Sequence, residues 1–495
     1  MNHITHLILP VGLFEINPYL LPEKDVVVYE DPYYFTRLPF HKQKLVLHRA
    51  SMKSYFDSMN HNRKRYVAID QELGLPAGTT NVIEVIDPHD HPLLDKLQSF
   101  CKKNKVRLNI LSSPNFLLDK ETIDSLDHTY YRHDQKFYPF MRQRCGIDIP
   151  LNGKSLTYDA QNREKIPKEM KLPPFFTNIS EERCREAITY VEARFPHHPG
   201  VASPFVYPFT HAMAKKALER FCEVCLPRFG KYEDALGSLE DIENHPSLFH
   251  SALSSSLNNG LLTDKQVLRY VMKYARDHVI PLNSLEGYIR QLIGWRNYVL
   301  FVYEKEGERI RSMNFMNHHG KLSKRWWDGT TGMPLVDAVI RKVQRYAYAH
   351  HIERLMVLGS FMMMCMIDPN EVNDWFTSFV SIDAYDVFMI PNVNGMSQHA
   401  DGGILMSRPY FSSSSYLKKM VTGKIPDSTI RLKSGEYPWD QVYDAVYYNF
   451  IGKHEKYLAT NYATSRQVWH WNRKDVKERQ RLCHLADDYL AFLHT

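Results

Sequence analysis

The segment Thr5-His-Leu-Ile-Leu-Pro-Val11 is the first of five short apolar runs that decide the fold of the N-terminal part of the chain. The other four lie at residues 25–29, 65–69, 81–86 and 106–111, and helical periodicity marks residues 42–59 and 92–103 between them. Apolar strands that alternate with helices are typical of a parallel sheet covered by helices on both faces. The region has no G-x-G-x-x-G motif, so a standard dinucleotide site is not indicated. We therefore predict a doubly wound, Rossmann-like α/β domain.

The pattern changes after this region. Residues 121–200 are irregular, with aromatic side chains among charges and then six prolines between Pro150 and Pro199. From residue 209 onward helical periodicity dominates, for example at residues 212–225, 264–277, 335–348 and 485–493. The predicted organisation is an α/β domain at residues 1–120, a linker at 121–200 and a large all-α domain at 201–495.

Composition limits the class of protein. The chain has 495 residues, 44% of them hydrophobic and 24% charged, which suits two or three domains with a substantial core. The net charge of +6 permits nucleic-acid binding without demanding it. No apolar run reaches the roughly 18 residues of a membrane span, and the N-terminus lacks signal-peptide features. Seven scattered cysteines suit a reducing compartment, so we expect a soluble, monomeric protein of the cytoplasm or nucleus.

Two adjacent histidines mark the candidate site, in Tyr346-Ala-Tyr-Ala-His-His-Ile-Glu-Arg-Leu-Met356. The spacing predicts a helix on which Tyr346, His350 and Arg354 share one face, while Ala347, His351 and Leu355 line the next. Alanines leave room for a planar group, and imidazoles exchange protons near neutral pH. The alternative is a pair of packed core histidines with satisfied ring nitrogens.

Four motifs follow in order downstream: Asp374-Trp-Phe376, Ser381-Ile-Asp-Ala-Tyr-Asp386, Pro391-Asn-Val-Asn-Gly-Met-Ser-Gln-His-Ala-Asp-Gly-Gly403 and Ser407-Arg-Pro-Tyr-Phe-Ser412. With the histidine pair, they resemble the flavin-binding half of the photolyase and cryptochrome superfamily, most closely the bacterial (6-4) photolyases. Segments 40–49, 249–262 and 284–297 also resemble this family. The resemblance therefore covers most of the chain.

The resemblance implies a bound flavin adenine dinucleotide (FAD). Hydroxyls near a helix start and arginines can bind a pyrophosphate, and polar groups near a flavin tune its redox chemistry. Alternatives are that the serines cap a helix and that Asp383 caps a turn. The implied FAD-binding residues are His250, Ser251, Leu253, Ser254, Asn258, Arg290, Gln291, Trp295, Arg296, Arg354, Asp383, Tyr385 and Asn392.

Photoreduction of a buried flavin needs oxidisable aromatic side chains between it and the surface. Trp327 and Trp375 occupy positions at which the resembled family has such residues. Phe376 stands where the family commonly has tyrosine, and a phenyl ring is too hard to oxidise, so a shortened or rerouted chain is expected. The alternative is that both tryptophans are core residues without an electron-transfer role.

The family also has an antenna chromophore in its α/β domain, of the lumazine or deazaflavin type. Glu30, His41 and Lys44 follow the second predicted strand, near the crevice in which such sheets bind ligands. The alternative is an empty crevice in a purely structural domain.

The resembled branch normally binds a four-iron cluster, but this chain lacks its ligand set. Leu335 occupies one expected cysteine position, and the segment after Met420 lacks the C-x-x-C motif. Cys365 and Cys483 cannot form a four-thiolate site alone, and the helical pattern around Cys222 and its neighbour Cys225 favours packing over metal binding. We therefore predict no iron-sulfur cluster and no other metal.

Binding of UV-damaged DNA would require a basic rim around an apolar pocket, because phosphates position the duplex while the damaged bases flip out. The alternative is that these charges are simply solvated. The candidate rim consists of Lys321, Lys324, Arg325, Arg408, Lys418 and Lys419, with Tyr410 and Tyr416 as stacking faces.

The sequence favours a light-dependent DNA photolyase of the (6-4) type, with His351, His350 and Tyr410 as catalytic residues. Asn297 and Met389 each replace an acidic residue that is usual in the family, which favours the alternative of a cryptochrome-like blue-light photoreceptor without repair activity. A flavin-free nucleic-acid-binding or scaffold protein is a third alternative. The retained histidine pair favours repair.

Overall fold

The N-terminal part of the computed structural model, which describes residues 3–74, 80–150, 153, 155–175 and 181–494, is a five-stranded parallel sheet. The strands are β1 (His3–Ile8), β2 (Asp25–Tyr29), β3 (Lys64–Val67), β4 (Thr80–Ile86) and β5 (Arg107–Leu111). Their order is β3-β2-β1-β4-β5, and every neighbouring pair is parallel. This order, with the chain winding outward on both sides of β1, confirms the predicted doubly wound fold.

The strands form where the apolar runs predicted them, with ends that differ by a few residues. Val26, Val27 and Val28 of β2 are at most 1% exposed, as expected when both faces of a sheet are covered. Helices α1 (Lys42–Ser58) and α2 (His91–Lys103) provide cover. β1 ends before Pro10, because proline has no N–H to donate to the sheet.

From residue 201 onward the described chain is mainly helical, as predicted, whereas the segment predicted as an irregular linker also contains helices. No helix of the described residues is long and apolar enough to cross a membrane. The π-helical segments are His133–Phe137, Phe221–Cys225, Arg290–Trp295, Glu353–Gly359, Phe376–Val380 and Ile390–Ser397. The α-helices are α3 (Lys120–Ser125), α4 (Tyr138–Arg144), α5 (Glu182–Arg194), α6 (His211–Arg220), α7 (Leu226–Tyr232), α8 (Leu239–Asn244), α9 (Ser254–Asn258), α10 (Asp264–Asp277), α11 (Leu282–Ile289), α12 (Arg296–Ser312), α13 (Arg325–Asp328), α14 (Pro334–Tyr346), α15 (Ser360–Met364), α16 (Pro369–Trp375), α17 (Asp386–Met389), α18 (Ser414–Met420), α19 (Trp439–Lys453), α20 (Glu455–Thr460), α21 (Ser465–Asn472) and α22 (Val476–Leu493).

One antiparallel hairpin interrupts the helical half, and the apolar periodicity of the sequence does not predict it. Its strands are β6 (Thr429–Leu432) and β7 (Gly435–Pro438). Gly435 has a φ of 146°, a backbone conformation that glycine adopts readily. The hairpin lies between α18 and α19, where short polar strands give little periodicity to detect.

Side chains at the start of α1 join the two halves of the molecule. The Lys44 Nζ donates to the backbone oxygens of Thr377 at 3.2 Å and Ala384 at 2.5 Å. A ring nitrogen of His41 lies 3.0 Å from the carbonyl oxygen of Gln344. These residues therefore lie in a closed interface and not beside the open crevice that the sequence pattern suggested.

Glu30 also has protein partners. Its carboxylate lies 3.2 Å from Arg49 and accepts hydrogen bonds from the Tyr66 hydroxyl at 2.5 Å and the Ile69 N–H at 3.0 Å. The three residues proposed for an antenna site are thus satisfied by the protein itself. Antenna binding stays a prediction from the family resemblance.

Candidate functional site

The stretch from Tyr346 to Met356 is not the single helix that its spacing predicts. α14 ends at Tyr346, Ala347 has a φ of 50°, and helical backbone resumes only at His351. The Ala347 carbonyl accepts a hydrogen bond from the Ile382 N–H at 2.7 Å. A left-handed residue redirects the chain, so a tertiary hydrogen bond replaces the continuing helix. The predicted shared faces are wrong, both that of Tyr346, His350 and Arg354 and that of Ala347, His351 and Leu355.

The redirected chain brings three histidine rings together. His250 stacks on His350 with ring centroids 4.7 Å apart and an interplanar angle of 15°, and its centroid lies 5.3 Å from that of His351. Burial lowers the pKa of both His250 and His350 well below the usual range, so both rings are neutral at pH 7. The His351 side chain is 46% exposed. The cluster thus combines two neutral, enclosed rings with one ring at the surface.

Asp234 gives His351 a different protonation behaviour from its neighbours. The Nε2 of His351 lies 3.0 Å from Asp234 Oδ1, and Arg163 Nε lies 3.3 Å from Asp234 Oδ2. Desolvation lowers the pKa of His351, but the hydrogen bond and charge of Asp234, with the charge of Glu233, outweigh it, and the net shift is upward. A carboxylate that fixes one ring nitrogen of a histidine prepares the ring for proton transfer.

Sequence reasoning did not identify Asp234, Glu233 or Arg163. Asp234 lies 117 residues before His351, outside any motif, in the loop that follows α7. Its backbone N–H donates to the Asn162 carbonyl at 3.0 Å. Packing of distant parts of the helical half brings Asp234 to His351, and Arg163 comes from the segment before that half, so no local pattern could have found these groups.

Several predicted FAD-binding residues from distant segments meet around Asp383. Its carboxylate lies 2.9 Å from Arg354, and its backbone oxygen accepts from Asn258 Nδ2 at 2.6 Å. Burial raises the pKa of Asp383, but the Arg354 charge and hydrogen bonds from Ser254 and Arg354 outweigh it, and the net pKa is lowered. Asp383 is therefore ionised at pH 7. Leu253 lies immediately before the first residue of α9, and Ser251 lies two residues before Leu253.

The loop after Asp383 is fixed by the α/β domain. A ring nitrogen of His48 lies 3.1 Å from the Tyr385 hydroxyl. Burial, with the charge of Arg37, lowers the pKa of Lys44 to about 7.

On the neighbouring π-helical segments, Trp295 Nε1 donates to Asn392 Oδ1 at 3.0 Å, which places these two predicted residues in contact.

Arg290 and Gln291 lie beside the histidine cluster and bind carboxylates. Arg290 is 3.1 Å from Asp159, 3.6 Å from Glu233 and 3.5 Å from Glu286. Gln291 Nε2 donates to Glu233 at 2.8 Å. The charge of Arg290 is thus compensated by the protein, so this arginine does not present a free cation to a pyrophosphate.

Arg296 and Asn297 share one carboxylate. Arg296 Nε lies 2.6 Å from Asp264 Oδ1. A second nitrogen of the same guanidinium, Nη1, donates a hydrogen bond to Asn258 Oδ1. Asn297 Nδ2 donates to Asp264 Oδ2 at 2.9 Å, and Asn297 Oδ1 accepts from the Leu117 N–H at 3.0 Å. The expected loss of an acidic group at position 297 is therefore accompanied by a carboxylate from α10 at the same place.

Unsatisfied buried atoms show that this region fits a large polar cofactor. An unpaired buried polar group costs about 1–3 kcal/mol, and native proteins rarely leave several together. Six such atoms lie in segments that the family resemblance assigns to FAD. Within the described part of the chain, these atoms form no hydrogen bond: His250 Nε2, Ser255 Oγ, Ser256 Oγ, Arg296 Nη2, and Nδ1 and Nε2 of His350.

The two predicted electron-transfer tryptophans are neighbours. Their ring centroids lie 6.4 Å apart at an interplanar angle of 78°, and Phe379 contacts both rings. Trp375 is 1% exposed, whereas Trp327 is partly exposed. Phe376 also contacts Trp375, with centroids 5.4 Å apart. The pair therefore connects the surface with the interior, a geometry suited to electron transfer.

The positions that relate to an iron-sulfur cluster are part of the apolar core. Leu335 and Cys365 are 1% and 4% exposed in the same cluster of buried side chains, and Cys483 packs against it. Burial raises the pKa of the Cys483 thiol. Met389 belongs to this cluster too. The absence of an iron-sulfur cluster stays a prediction, drawn from the missing cysteines.

Most of the predicted DNA-contacting cations already have partners. The Arg408 guanidinium lies 4.8 Å from the centroid of the Tyr410 ring, and Lys419 is exposed. Tyr416 lies near the charges of Asp234 and Arg163, and burial raises the pKa of its hydroxyl. The other predicted cations are paired as follows: Lys321 with Glu371 at 2.8 Å, Lys324 with Asp328 at 3.6 Å, Lys418 with Asp440 at 2.5 Å, and Arg325 with the ring of Phe492 at 3.9 Å.

Comparison with known proteins agrees with this geometry. Residues 6–207 match the family described as deoxyribodipyrimidine photo-lyase-related protein, and residues 286–416 match the FAD binding domain of DNA photolyase. The (6-4) photolyase of Agrobacterium fabrum is 29% identical over 479 residues, which cover 92% of this chain and 91% of that protein.

Two solved structures share the fold at low sequence identity. A bacterial class III photolyase from Agrobacterium tumefaciens has a TM-score of 0.50 at 17% identity, covering 80% of this chain and 79% of that one. A cryptochrome from Synechocystis sp. PCC6803 has a TM-score of 0.52 at 15% identity, covering 85% and 88%. The two family matches show that this chain belongs to the photolyase and cryptochrome family and contains its FAD-binding domain, and the two structures share its fold.

Proposed function

We propose that this protein is a light-driven DNA-repair enzyme of the (6-4) photolyase type. The observation that carries the proposal is His351, held by Asp234 at 3.0 Å at the exposed edge of a cluster with two neutral histidines. The 29% identity to a (6-4) photolyase, in an alignment that covers 92% of this chain, supports the same lesion type. UV-damaged DNA is the proposed partner.

Bound FAD would supply the electron for repair once it is reduced and excited by blue light. The residues proposed to hold it surround the ion pair of Arg354 and Asp383, with Asn258, Ser254 and the unpaired atoms of α9. The ionised Asp383 places a fixed negative charge in the site, compensated by Arg354. The Asp383 side chain is 9% exposed and that of Arg354 is 20% exposed.

Proton transfer is the proposed task of His351. Asp234 accepts a hydrogen bond from Nε2–H, so Nδ1 of the imidazolium is the position that releases a proton to the photoproduct and recovers it when the bond between the pyrimidines breaks. Conversion of the photoproduct into two pyrimidines is a net isomerisation, so the repair consumes no oxidant or reductant. His350 and His250 stay neutral because they are buried, so His351 is the ring of the cluster proposed to carry and release the proton.

The test is repair of an oligonucleotide containing one (6-4) photoproduct, under blue light with pre-reduced protein. The parent protein should repair it, and His351→Ala should abolish repair while FAD content stays near parental, because this side chain serves the substrate and not the cofactor. His319→Ala, which alters an exposed histidine hydrogen-bonded to Asn317, is the matched control.

The same experiment separates the alternatives. A parent protein that repairs neither this lesion nor a cyclobutane dimer, yet photoreduces readily, is a photoreceptor of the cryptochrome type. Repair of the cyclobutane dimer alone would keep the photolyase assignment and overturn the lesion type.

A further inference from the structure

A helix far along the chain from the proposed FAD site exposes an aromatic and basic face. Arg466, Trp469, His470 and Arg473 recur at the spacing of one helical face of α21 and its C-terminal end, and all four are exposed. Trp469 is 52% exposed. The opposite face is buried through residues such as Trp471. Core packing therefore accounts for the buried face and leaves the exposed tryptophan unexplained.

Positive charge dominates this segment of the chain. The sequence has no acidic residue between Glu455 and Asp475. The Arg473 guanidinium lies 4.6 Å from the centroid of the Trp469 ring, and Lys474 Nζ lies 4.3 Å from that of Tyr448.

Arg466, Arg473 and Lys474 form no ion pair with any carboxylate of the described residues, in contrast to two cations of the predicted DNA-binding rim. Lys321 and Lys418 of the rim that the sequence predicts are held 2.8 Å and 2.5 Å from carboxylates. Free cations bind phosphates more readily than paired ones, since no protein ion pair must be broken first.

A second exposed aromatic side chain lies next to this face. Tyr462 is 97% exposed, and its carbonyl accepts a hydrogen bond from Ser465 Oγ at 3.1 Å, which holds it at the start of α21. Asn461 Nδ2 donates to the Ser407 carbonyl at 2.7 Å. The face therefore continues toward Arg408, at the edge of the proposed DNA-binding rim.

We infer that Tyr462, Arg466, Trp469, Arg473 and Lys474, here called the α21 surface, bind single-stranded DNA. Cations neutralise the phosphates, and exposed aromatic rings stack on bases. Bases offer a free face only where a strand is unpaired, which selects single strands over duplex. Binding at the α21 surface goes beyond the proposed repair function, because it requires no photoproduct, light or FAD chemistry.

The test is fluorescence anisotropy of a labelled, undamaged oligothymidylate titrated in the dark with the whole protein at several salt concentrations. Arg466→Ala with Arg473→Ala should make the plot of log affinity against log salt less steep by about 1.4, which is about 0.7 for each phosphate that the variant no longer neutralises. Trp469→Ala should weaken binding about 5-fold or more, because a base can no longer stack on the indole ring. Lys103→Ala with Arg107→Ala removes the same charge from exposed positions of the α/β domain and should leave binding unchanged.

Three results would overturn the inference: parental affinity and salt slope in the α21 variants, equal or tighter binding of a duplex of the same length, or binding of oligouridylate without oligothymidylate. Parental helical content and FAD content show that the variants fold. A protein that binds oligothymidylate through the α21 surface but fails to repair the (6-4) oligonucleotide would contradict only the proposed repair function.

Discussion

Replacement of Asp234 by asparagine should change the pH dependence of repair. The substitution keeps the size of the side chain and removes the charge that raises the pKa of His351. The charge of Asp234 favours the protonated His351 ring. Without this charge the pKa of His351 falls, and the alkaline limb of the repair profile moves to lower pH. At pH values well below the pKa of His351 the ring is protonated in both proteins, and repair should be similar.

The size of the effect follows from the exposure of the pair. The His351 side chain is 46% exposed, so water screens the charge, and such pairs contribute about 0.2–1 kcal/mol. That range corresponds to about 1.4- to 5-fold in the equilibrium between imidazolium and imidazole. Repair by Asp234→Asn at mildly alkaline pH should therefore fall by up to about 5-fold relative to the parent.

The assay is initial-rate repair of the (6-4) oligonucleotide by pre-reduced protein across the neutral range. Asp25→Asn is the control, because Asp25 also pairs with a histidine, His3, at 3.2 Å and is similarly exposed, but in the α/β domain. A parental pH profile for Asp234→Asn, or an equal loss of repair at every pH, would refute the role of Asp234 in setting the protonation of His351.

Other predictions test the cofactor, the electron path and the core. The protein should purify with about one FAD per chain and without iron or acid-labile sulfide; elemental analysis showing stoichiometric iron would contradict this. Trp375→Phe and Trp327→Phe should each slow photoreduction measured by absorption under blue light with a reductant, since phenylalanine is not oxidised readily, whereas Trp439→Phe should not; parental rates in both would place the electron path elsewhere. Lys342→Met should lower the free energy of unfolding by about 3–5 kcal/mol, because it strands the fully buried Glu353, 2.8 Å away; an unchanged midpoint in chemical denaturation would show that this pair is not needed for stability.

Much of the candidate site was identifiable from motifs, but its geometry was not. Asp383, Arg354 and Asn258 were recognised one by one through family resemblance, and the structure joins them in one network. Arg290 was expected to offer a cation, yet Glu233, Glu286 and Asp159 surround it. Which partner a charged side chain finds depends on distant segments, and the sequence around it does not record them.

Local pattern by itself determined the class of fold: apolar runs at strand length between amphipathic helices specify a covered parallel sheet, because burial on both faces demands that periodicity. Tertiary structure alone decided the break in the helix at Ala347. The Ala347 carbonyl accepts a hydrogen bond from the Ile382 N–H instead of from an N–H of a continuing helix. Tertiary structure alone also decided the contact of His351 with Asp234. Hydrogen bonds and ion pairs between distant segments form only after the chain has packed, so periodicity along the sequence cannot reveal them.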